Sequence, residues 1–213
     1  LNIDIVYEVE HMVRAGETIS SRSRSVFAGG KGLNQSIALA RAGARVHHAG
    51  AVGAKDGQFL LDVLSKNEIN TDDIVILEDE ATGHAIITVD QSGQNSIILY
   101  GGANQNISRS QVDKTLAGFG VGDFLLLQNE ISELPYILTR AHDRGMKIIL
   151  NPSPIRQTLR ELDLSMITYL IFNEIEGAEL TGQTQAQQIL DTLLKAHPRL
   201  NLILTLGSKG AIY

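Results

Sequence analysis

Apolar and polar residues follow two alternating patterns along most of the chain. Short, nearly continuous apolar runs predict strands at 45–53, 123–128, 147–151, 169–173 and 201–206. Helical spacing of apolar residues predicts helices at 56–67, 108–118, 132–145, 174–181 and 184–196. Apolar strands separated by helices are typical of a mostly parallel sheet covered by helices on both faces, so the predicted fold is a three-layer α/β fold.

Hydroxyl and amide residues mark the expected starts of three helices. Ser108 with Gln111, and Thr184 with Gln187, fit the capping box, in which two side chains satisfy free backbone N–H groups. Ser132 is the predicted cap of the helix at 132–145, with Pro135 in its first turn.

Two segments have no helix beside them. Residues 17–28 are polar and extended, and residues 83–100 predict a hairpin around the turn QSGQ. Together they predict a small β-sheet joined to the α/β core. The pattern leaves open whether this sheet is a surface hairpin or a lid over a ligand.

Composition restricts the partners. The 213 residues carry a net charge of −6 and no long cluster of Lys or Arg, which argues against nucleic acid as the main partner. No apolar run reaches the length of a membrane span. There is no cysteine, so neither disulfides nor thiolate chemistry are expected, and a reducing cytoplasm fits. Because the chain opens on an apolar run without Met, we expect residues to be missing upstream.

The stretch from Phe27 to Ala44, FAGGKGLNQSIALARAGA, places three glycines and a lysine before a helical pattern. It is no P-loop, because Lys31 is followed by glycine, and no dinucleotide fingerprint. Glycines before a helix let a ligand approach the backbone N–H groups closely. Backbone amides, Lys31 and Asn34 would suit a neutral polyol. A glycine-rich turn that only packs the helix against a sheet is the alternative.

Nine further motifs occur in order along the chain. They are NID (2–4), GET (16–18), VGAKDG (52–57), TG (82–83), GGAN (101–104), LLLQNE (125–130), NPSP (151–154), NEIE (173–176) and TLGSKG (205–210). With the glycine-rich stretch, they strongly resemble the ribokinase family, also called the PfkB carbohydrate kinases. The resemblance implies a ribokinase-like domain over 1–213, incomplete at both ends, with lid strands from about 17–28 and 84–100.

The family resemblance also implies a sugar site. Asp4 matches the carboxylate that accepts hydrogen bonds from two sugar hydroxyls, and Asn2 matches a second sugar contact. The predicted substrate-binding residues are Asn2, Ile3, Asp4, Gly30, Lys31, Gly32, Leu33, Asn34 and Glu130. Glu130 follows a predicted core strand, where ligands of open α/β sheets gather.

For the nucleotide, the resemblance implies ATP-binding residues Asn173, Thr205, Leu206, Gly207, Ser208, Lys209 and Gly210. Glu176 would hold Mg²⁺ through water, although Asn173 with Glu176 also fits a capping box. The segment LGSKG alone could be a plain turn. A monovalent cation, K⁺, is expected from the family, with its site outside this chain.

The family's later Gly-Ala-Gly-Asp signature is absent from the 213 residues. Its Asp is the family's catalytic base, so no catalytic residue is assigned here, the base is expected beyond Tyr213, and this chain alone is expected to be inactive.

The implied reaction is D-ribose plus ATP giving ribose 5-phosphate and ADP, in a cytoplasmic homodimer formed through the lid. Alternatives are a kinase for deoxyribose, fructose phosphate or a nucleoside, and a sugar-binding protein without phosphoryl transfer.

Overall fold

The computed structural model describes residues 1–155 and 162–213. Strands and helices alternate along the chain, as an α/β fold requires. The chain forms two compact units, 1–107 and 108–213. The single domain predicted over 1–213 stays a prediction. Within the described ranges, no helix has both the length and the apolar character needed to cross a membrane.

The first unit is built around the N-terminal strand. Its elements are β1 (Asn2–Glu8), β2 (Ser23–Gly29), α1 (Lys31–Arg41), β3 (Gly50–Gly53), α2 (Gln58–Lys66), β4 (Ile74–Leu77), β5 (His84–Val89), β6 (Asn95–Tyr100) and a 3-10 helix (Gly102–Gln105). One sheet has the order β2-β1-β5-β6, in which β1 and β5 are parallel and the other pairs antiparallel. Strands β3 and β4 form a separate parallel pair. The buried core of the first unit includes Ile3, Leu33, Val52, Leu60 and Leu64.

The predicted strand at 45–53 is too long. Only Gly50–Gly53 forms a strand, and a single bridge joins His47 to Asn70 upstream of it. The partner strand β4 has only four residues, so the ladder cannot extend further. Strand β4 was not predicted from the sequence.

The predicted lid segments are confirmed as strands only in part. Within the predicted segment 17–28, the strand begins only at Ser23. The predicted hairpin at 84–100 has both of its strands. Asp90 closes the hairpin turn, because one carboxylate oxygen accepts from the backbone and hydroxyl of Ser92 and from the backbone N–H of Gln94. Together with β1 these strands form one four-stranded sheet.

The two faces of this sheet follow from its register. Ile5 pairs with Val26 and Ile86, and Ile86 pairs with Ile98, so these residues share one face. Ile97 pairs with Ile87 and therefore lies on the other face, together with Asp4. Ile86 and Ile97 therefore lie on opposite faces, because successive residues of a strand alternate between faces.

The second unit consists of α3 (Arg109–Leu116), β7 (Phe124–Gln128), α4 (Leu134–Asp143), β8 (Lys147–Asn151), β9 (Tyr169–Asn173), α5 (Glu174–Thr181), α6 (Ala186–Ala196), β10 (Asn201–Thr205) and β11 (Ala211–Ile212). Short 3-10 helices occupy Leu164–Met166 and Gly207–Lys209. The sheet order is β11-β10-β9-β8-β7, and only β11 is antiparallel to its neighbour. Ile148, Leu150, Leu170, Phe172 and Leu204 are buried along the three central strands.

The helix caps agree with prediction in part. Ser108 caps α3 by accepting from the backbone N–H of Gln111. Helix α4 instead begins after Glu133, whose φ is 57° and whose carboxylate pairs with Arg109 at 2.9 Å. Thr184 is no cap either, because α6 begins at Ala186 and the residue at the cap position is Gln185, whose backbone angles are extended.

His48 is buried beside α1 and exposes only 8% of its surface. Its Nδ1 lies 2.8 Å from the hydroxyl oxygen of Ser36, within hydrogen-bond distance. Burial lowers the pKa of His48 to about 3, because a charged imidazolium would lose its hydration. The side chain is therefore neutral in the folded protein at neutral pH.

This burial predicts a loss of stability in acid. Between pH 6.5 and about 3 the unfolded chain binds a proton at His48 that the folded chain does not, so the free energy of unfolding falls as the pH falls. At pH 5 the loss relative to pH 7.5 should be about 2 kcal/mol from this residue. Urea unfolding of the parent and of His48→Gln, which keeps a hydrogen-bonding amide, checks it. Equal pH dependence in both proteins would contradict the prediction.

Candidate active site

The first group of predicted site residues lies at the start of β1. Asn2 and Asp4 are two residues apart on the strand, so their side chains share a face. Asp4 lies above Gly29 of the neighbouring strand: a Cβ at Gly29 would overlap the carboxylate carbon and both carboxylate oxygens of Asp4. Glycine at position 29 is therefore what leaves room for this carboxylate.

The glycine-rich turn brings the start of α1 to the same strand. Gly30 has φ of 94°, which favours glycine, and a Cβ there would lie 3.0 Å from the backbone nitrogen of Asn2. Helix α1 begins at the next residue, Lys31, and Gly30 offers no side chain to cap it. The first N–H groups of a helix have no partner within the helix, so they can receive a ligand oxygen.

Two predicted sugar residues have buried side chains. Ile3 and Leu33 both belong to the core of the first unit, Leu33 with only 1% exposure. Ile3 also donates its backbone N–H to the carbonyl of Gly83 at 2.8 Å. Any contact of these two residues with a ligand would therefore use the backbone, while Asn34 on α1 is exposed.

Asn104 is a residue of this group for which the sequence analysis assigned no role. It is buried, and its Nδ2 donates to the Leu1 carbonyl and to Asn2 Oδ1, each at 2.9 Å. The motif GGAN marked the segment, but one sequence cannot show that its Asn reaches back over a hundred residues. Gly29 was missed for the same reason, since only the strand pairing reveals the close approach to Asp4.

The second group lies at the carboxyl ends of the parallel strands in the second unit. Asn173 and Thr205 are directly paired, as the last residues of β9 and β10. Glu130 follows β7 by two residues at the same edge of the sheet. The strand order separates β7 from β9 by one strand, or about 10 Å. The structure thus brings together Asn173 and Thr205, which were predicted for ATP, and places Glu130, which was predicted for the substrate, at the same edge of this sheet.

The capping box at the start of α5 is present in full. Asn173 Oδ1 accepts from the backbone N–H of Glu176, and Glu176 Oε2 accepts from the backbone N–H of Asn173, both at 2.9 Å. The cap uses only one carboxylate oxygen of Glu176, Oε2. This arrangement fits a cation held through water, because a bridging water needs only one such acceptor.

The predicted ATP loop is a short, open turn between β10 and β11. Gly207 and Gly210 both have positive φ, and a Cβ on either would meet no atom within 4 Å. The backbone N–H of Leu206 donates to the Gly210 carbonyl at 2.8 Å and closes the turn. The turn therefore presents backbone and the Ser208 and Lys209 side chains without a steric barrier.

Asn129 fixes the backbone just before Glu130. Its side chain is buried, and its Nδ2 donates to the Pro154 carbonyl at 2.8 Å. Its backbone N–H donates to the Ser153 carbonyl, so the loops after β7 and β8 are joined. The position of Glu130 consequently depends on the NPSP segment as well as on its own strand.

Fold and site define a class of protein. Residues 1–213 match the model of the pfkB family of carbohydrate kinases, and the chain belongs to that family. It is therefore a phosphotransferase that uses an alcohol group as acceptor. The predicted ribokinase-like fold is confirmed by solved structures that superpose on nearly the whole chain.

Particular relatives are ribokinases. The ribokinase of Haemophilus influenzae is 33% identical over 219 residues, covering 99% of this chain and 71% of that protein. A crystal structure of the Cryptococcus neoformans ribokinase in complex with ADP has a TM-score of 0.81 at 35% identity, covering 99% of this chain and 71% of its own. The Arabidopsis thaliana ribokinase complexed with ribose and ATP has a TM-score of 0.80 at 30% identity, covering 99% and 70%.

Proposed function

We propose that the protein is an ATP-dependent sugar kinase that phosphorylates D-ribose to ribose 5-phosphate. The observation that carries this is the Asp4 carboxylate lying on Gly29 beside Asn2 and the open start of α1. An ionised carboxylate only accepts hydrogen bonds, so it suits the two O–H donors of a vicinal diol. The amides of Asn2 and of the first turn of α1 supply donors to the sugar oxygens.

In this proposal the second unit holds the nucleotide. The open turn from Thr205 to Gly210 receives ATP, and Asn173 lies level with it on the next strand. Bound Mg²⁺ would neutralise phosphate charge, with Glu176 orienting water around it. Glu130 is proposed as a further sugar contact. We assign no catalytic base among the described residues, and the reaction is proposed to take place in the cytoplasm with K⁺ as activator.

The overall test is a substrate panel with the complete gene product, ATP and Mg²⁺. D-Ribose should be the best acceptor among ribose, 2-deoxyribose, fructose 6-phosphate and a nucleoside. Ribose binding without phosphate transfer would instead indicate a sugar-binding protein. A preference for the nucleoside would indicate a nucleoside kinase of the same family.

Asp4 should dominate the affinity for sugar. Asp4→Ala removes an acceptor of two hydroxyl hydrogen bonds and should weaken ribose binding by about 2–4 kcal/mol, which is more than tenfold. Calorimetric titration with ribose and with ATP measures both affinities, and the affinity for ATP should barely change. Asp62→Ala, which removes an exposed carboxylate on α2, is the matched control. Unchanged ribose affinity in a folded Asp4→Ala protein would refute the assignment.

Glu176 allows capping and cation binding to be separated. Glu176→Gln keeps an oxygen for the Asn173 N–H, so stability should stay within about 0.5 kcal/mol, whereas Glu176→Ala should lose about 1 kcal/mol. If Glu176 also orients Mg²⁺-bound water, both variants should need more Mg²⁺ for half-maximal activity.

Thermal unfolding measures the effect of each Glu176 variant on stability. An Mg²⁺ titration of the phosphorylation rate measures its effect on the Mg²⁺ requirement. Glu174→Gln, which alters the other acid of the same helical turn, is the control. If Glu176→Gln and Glu174→Gln show the same Mg²⁺ dependence, Glu176 acts only as a helix cap and not in cation binding.

We also propose a homodimer formed through the sheet β2-β1-β5-β6. On the face opposite Asp4, Val26, Ile86, Ile98 and Tyr100 are exposed, Ile98 with 67% of its surface. A group of exposed apolar side chains indicates an interaction surface. Phe27, Ile97 and Leu99 are also exposed on the Asp4 face, which this proposal assigns to the sugar. A second copy would bury the face opposite Asp4 and leave the Asp4 face to the sugar.

Two neighbouring residues of β6 test which face is covered. Ile98→Glu places a charge on the proposed interface and should convert a dimer into a monomer, because a buried unpaired charge is costly. Ile97→Glu places the same charge on the face of Asp4 and should leave the dimer intact. Sedimentation velocity at micromolar concentration measures both. A monomeric parent protein, or dissociation by Ile97→Glu alone, would contradict the proposed interface.

A further inference from the structure

The side-chain amide of Asn104 is held by the backbone at the start of the chain. Its Oδ1 accepts from the backbone nitrogen of Leu1 at 3.3 Å, and its Nδ2 donates to the Leu1 carbonyl at 2.9 Å. The second hydrogen of Nδ2 is directed to Asn2 Oδ1, also at 2.9 Å. Asn104 is 5% exposed, so each of these groups depends on a protein partner.

These contacts fix the orientation of the Asn104 amide and, through it, that of the Asn2 amide. Backbone N–H and C=O groups have a fixed polarity, so turning the Asn104 amide over would place nitrogen against nitrogen and oxygen against oxygen. Asn104 must therefore present Nδ2 to Asn2. Asn2 in turn must present Oδ1 to Asn104, which leaves its Nδ2, with two donor hydrogens, for the other side.

Gly83 shows how closely this contact is enclosed. A Cβ at Gly83 would lie 2.5 Å from Asn2 Oδ1 and closer still to Asn104 Nδ2. Just before it, the buried Thr82 donates its backbone N–H and hydroxyl to Asp56 at 3.0 and 2.5 Å. The Thr82 hydroxyl also accepts from the backbone N–H of Gly53 at 2.9 Å. The segment that covers the Asn2–Asn104 contact is thus itself anchored.

We propose that Asn104 is a positioning residue that makes Asn2 a hydrogen-bond donor toward the substrate. Asp4, two residues along the same face of β1, is an acceptor only. The pair then suits a ligand with one oxygen that accepts from Asn2 and one hydroxyl that donates to Asp4. Two hydroxyls of a sugar match this description. The inference rests on the sugar site of the proposed function and assigns the direction of its hydrogen bonds.

A double-mutant cycle tests whether Asn104 acts through Asn2. Ribose affinity of the complete protein is measured by calorimetry for the parent, Asn2→Ala, Asn104→Ala and the double variant. Asn104→Ala alone should weaken ribose binding about five- to tenfold, the contribution of one misplaced hydrogen bond. In the Asn2→Ala background the same change should have almost no effect, because the residue it positions is gone. Losses that multiply would overturn the inference.

Asn2→Asp tests the direction of the hydrogen bond and guards against misfolding of Asn104→Ala. Aspartate at position 2 still accepts from Asn104 Nδ2, so the fold should be kept, but it can no longer donate to the sugar. Ribose affinity should fall at least as far as in Asn2→Ala, and KM for ribose should rise while KM for ATP stays unchanged. Parent-like ribose affinity in Asn2→Asp would show that Asn2 does not donate.

Two further variants complete the design. Gly83→Ala introduces a methyl group at the Asn2–Asn104 contact from another part of the chain and should weaken ribose binding in the same way. Asn106→Ala removes a contact within the same turn, from its Nδ2 to the Gly102 carbonyl at 3.2 Å, and should leave ribose affinity unchanged. A parent protein that binds no ribose would refute the proposed function, whereas normal binding that is insensitive to positions 2, 83 and 104 would refute only this inference.

Discussion

Strand β1 is paired along both edges, and the candidate sugar site depends on this pairing. It forms an antiparallel ladder with β2 from Asn2 to Glu8 and a parallel ladder with β5 from Ile3 to Glu8. Because both edges are occupied, the backbone that carries Asn2 and Asp4 cannot shift register without breaking two ladders. A shift by one residue would also move Asp4 to the face where Ile3 and Ile5 pack against the core.

In the second unit, the parallel register of the strands fixes the positions of the candidate nucleotide residues. Thr205 and Asn173 are neighbours because β9 and β10 run in the same direction and end at the same level. Asn173 is then both the last residue of its strand and the cap of the next helix. One residue therefore ends a strand, caps the following helix and is paired with the first residue of the proposed nucleotide turn.

Sequence predicted best what local chemistry decides. The strands at 147–151 and 169–173 and the helix at 174–181 agree with the structure residue for residue, because their apolar runs and the Asn173 cap are local signals. Contacts between distant residues were not predictable: Gly29 under Asp4, Asn104 beside Asn2, and the opposite faces of Ile86 and Ile97 depend on strand pairing. Ser132 is not the cap, because helix α4 begins one residue later than expected, after Glu133 in the left-handed backbone region. The roles of Asp4 and Glu176 came from family resemblance, and their local sequence alone would have allowed a solvated acid and a plain cap.

The shared sheet has a mechanical consequence for the hairpin β5–β6. Ala85 and Leu99 lie level with Asp4, while the Asp90 turn lies about five residues further along, or roughly 15 Å. Strand β1 runs beside β5 up to Val89, so the hairpin and the strand that holds the carboxylate form one continuous ladder. A tilt of β1 by a few degrees would be magnified at the tip, and force applied to the tip would be transmitted to Asp4. A displacement of the hairpin would accordingly be passed along this ladder to the Asp4 site.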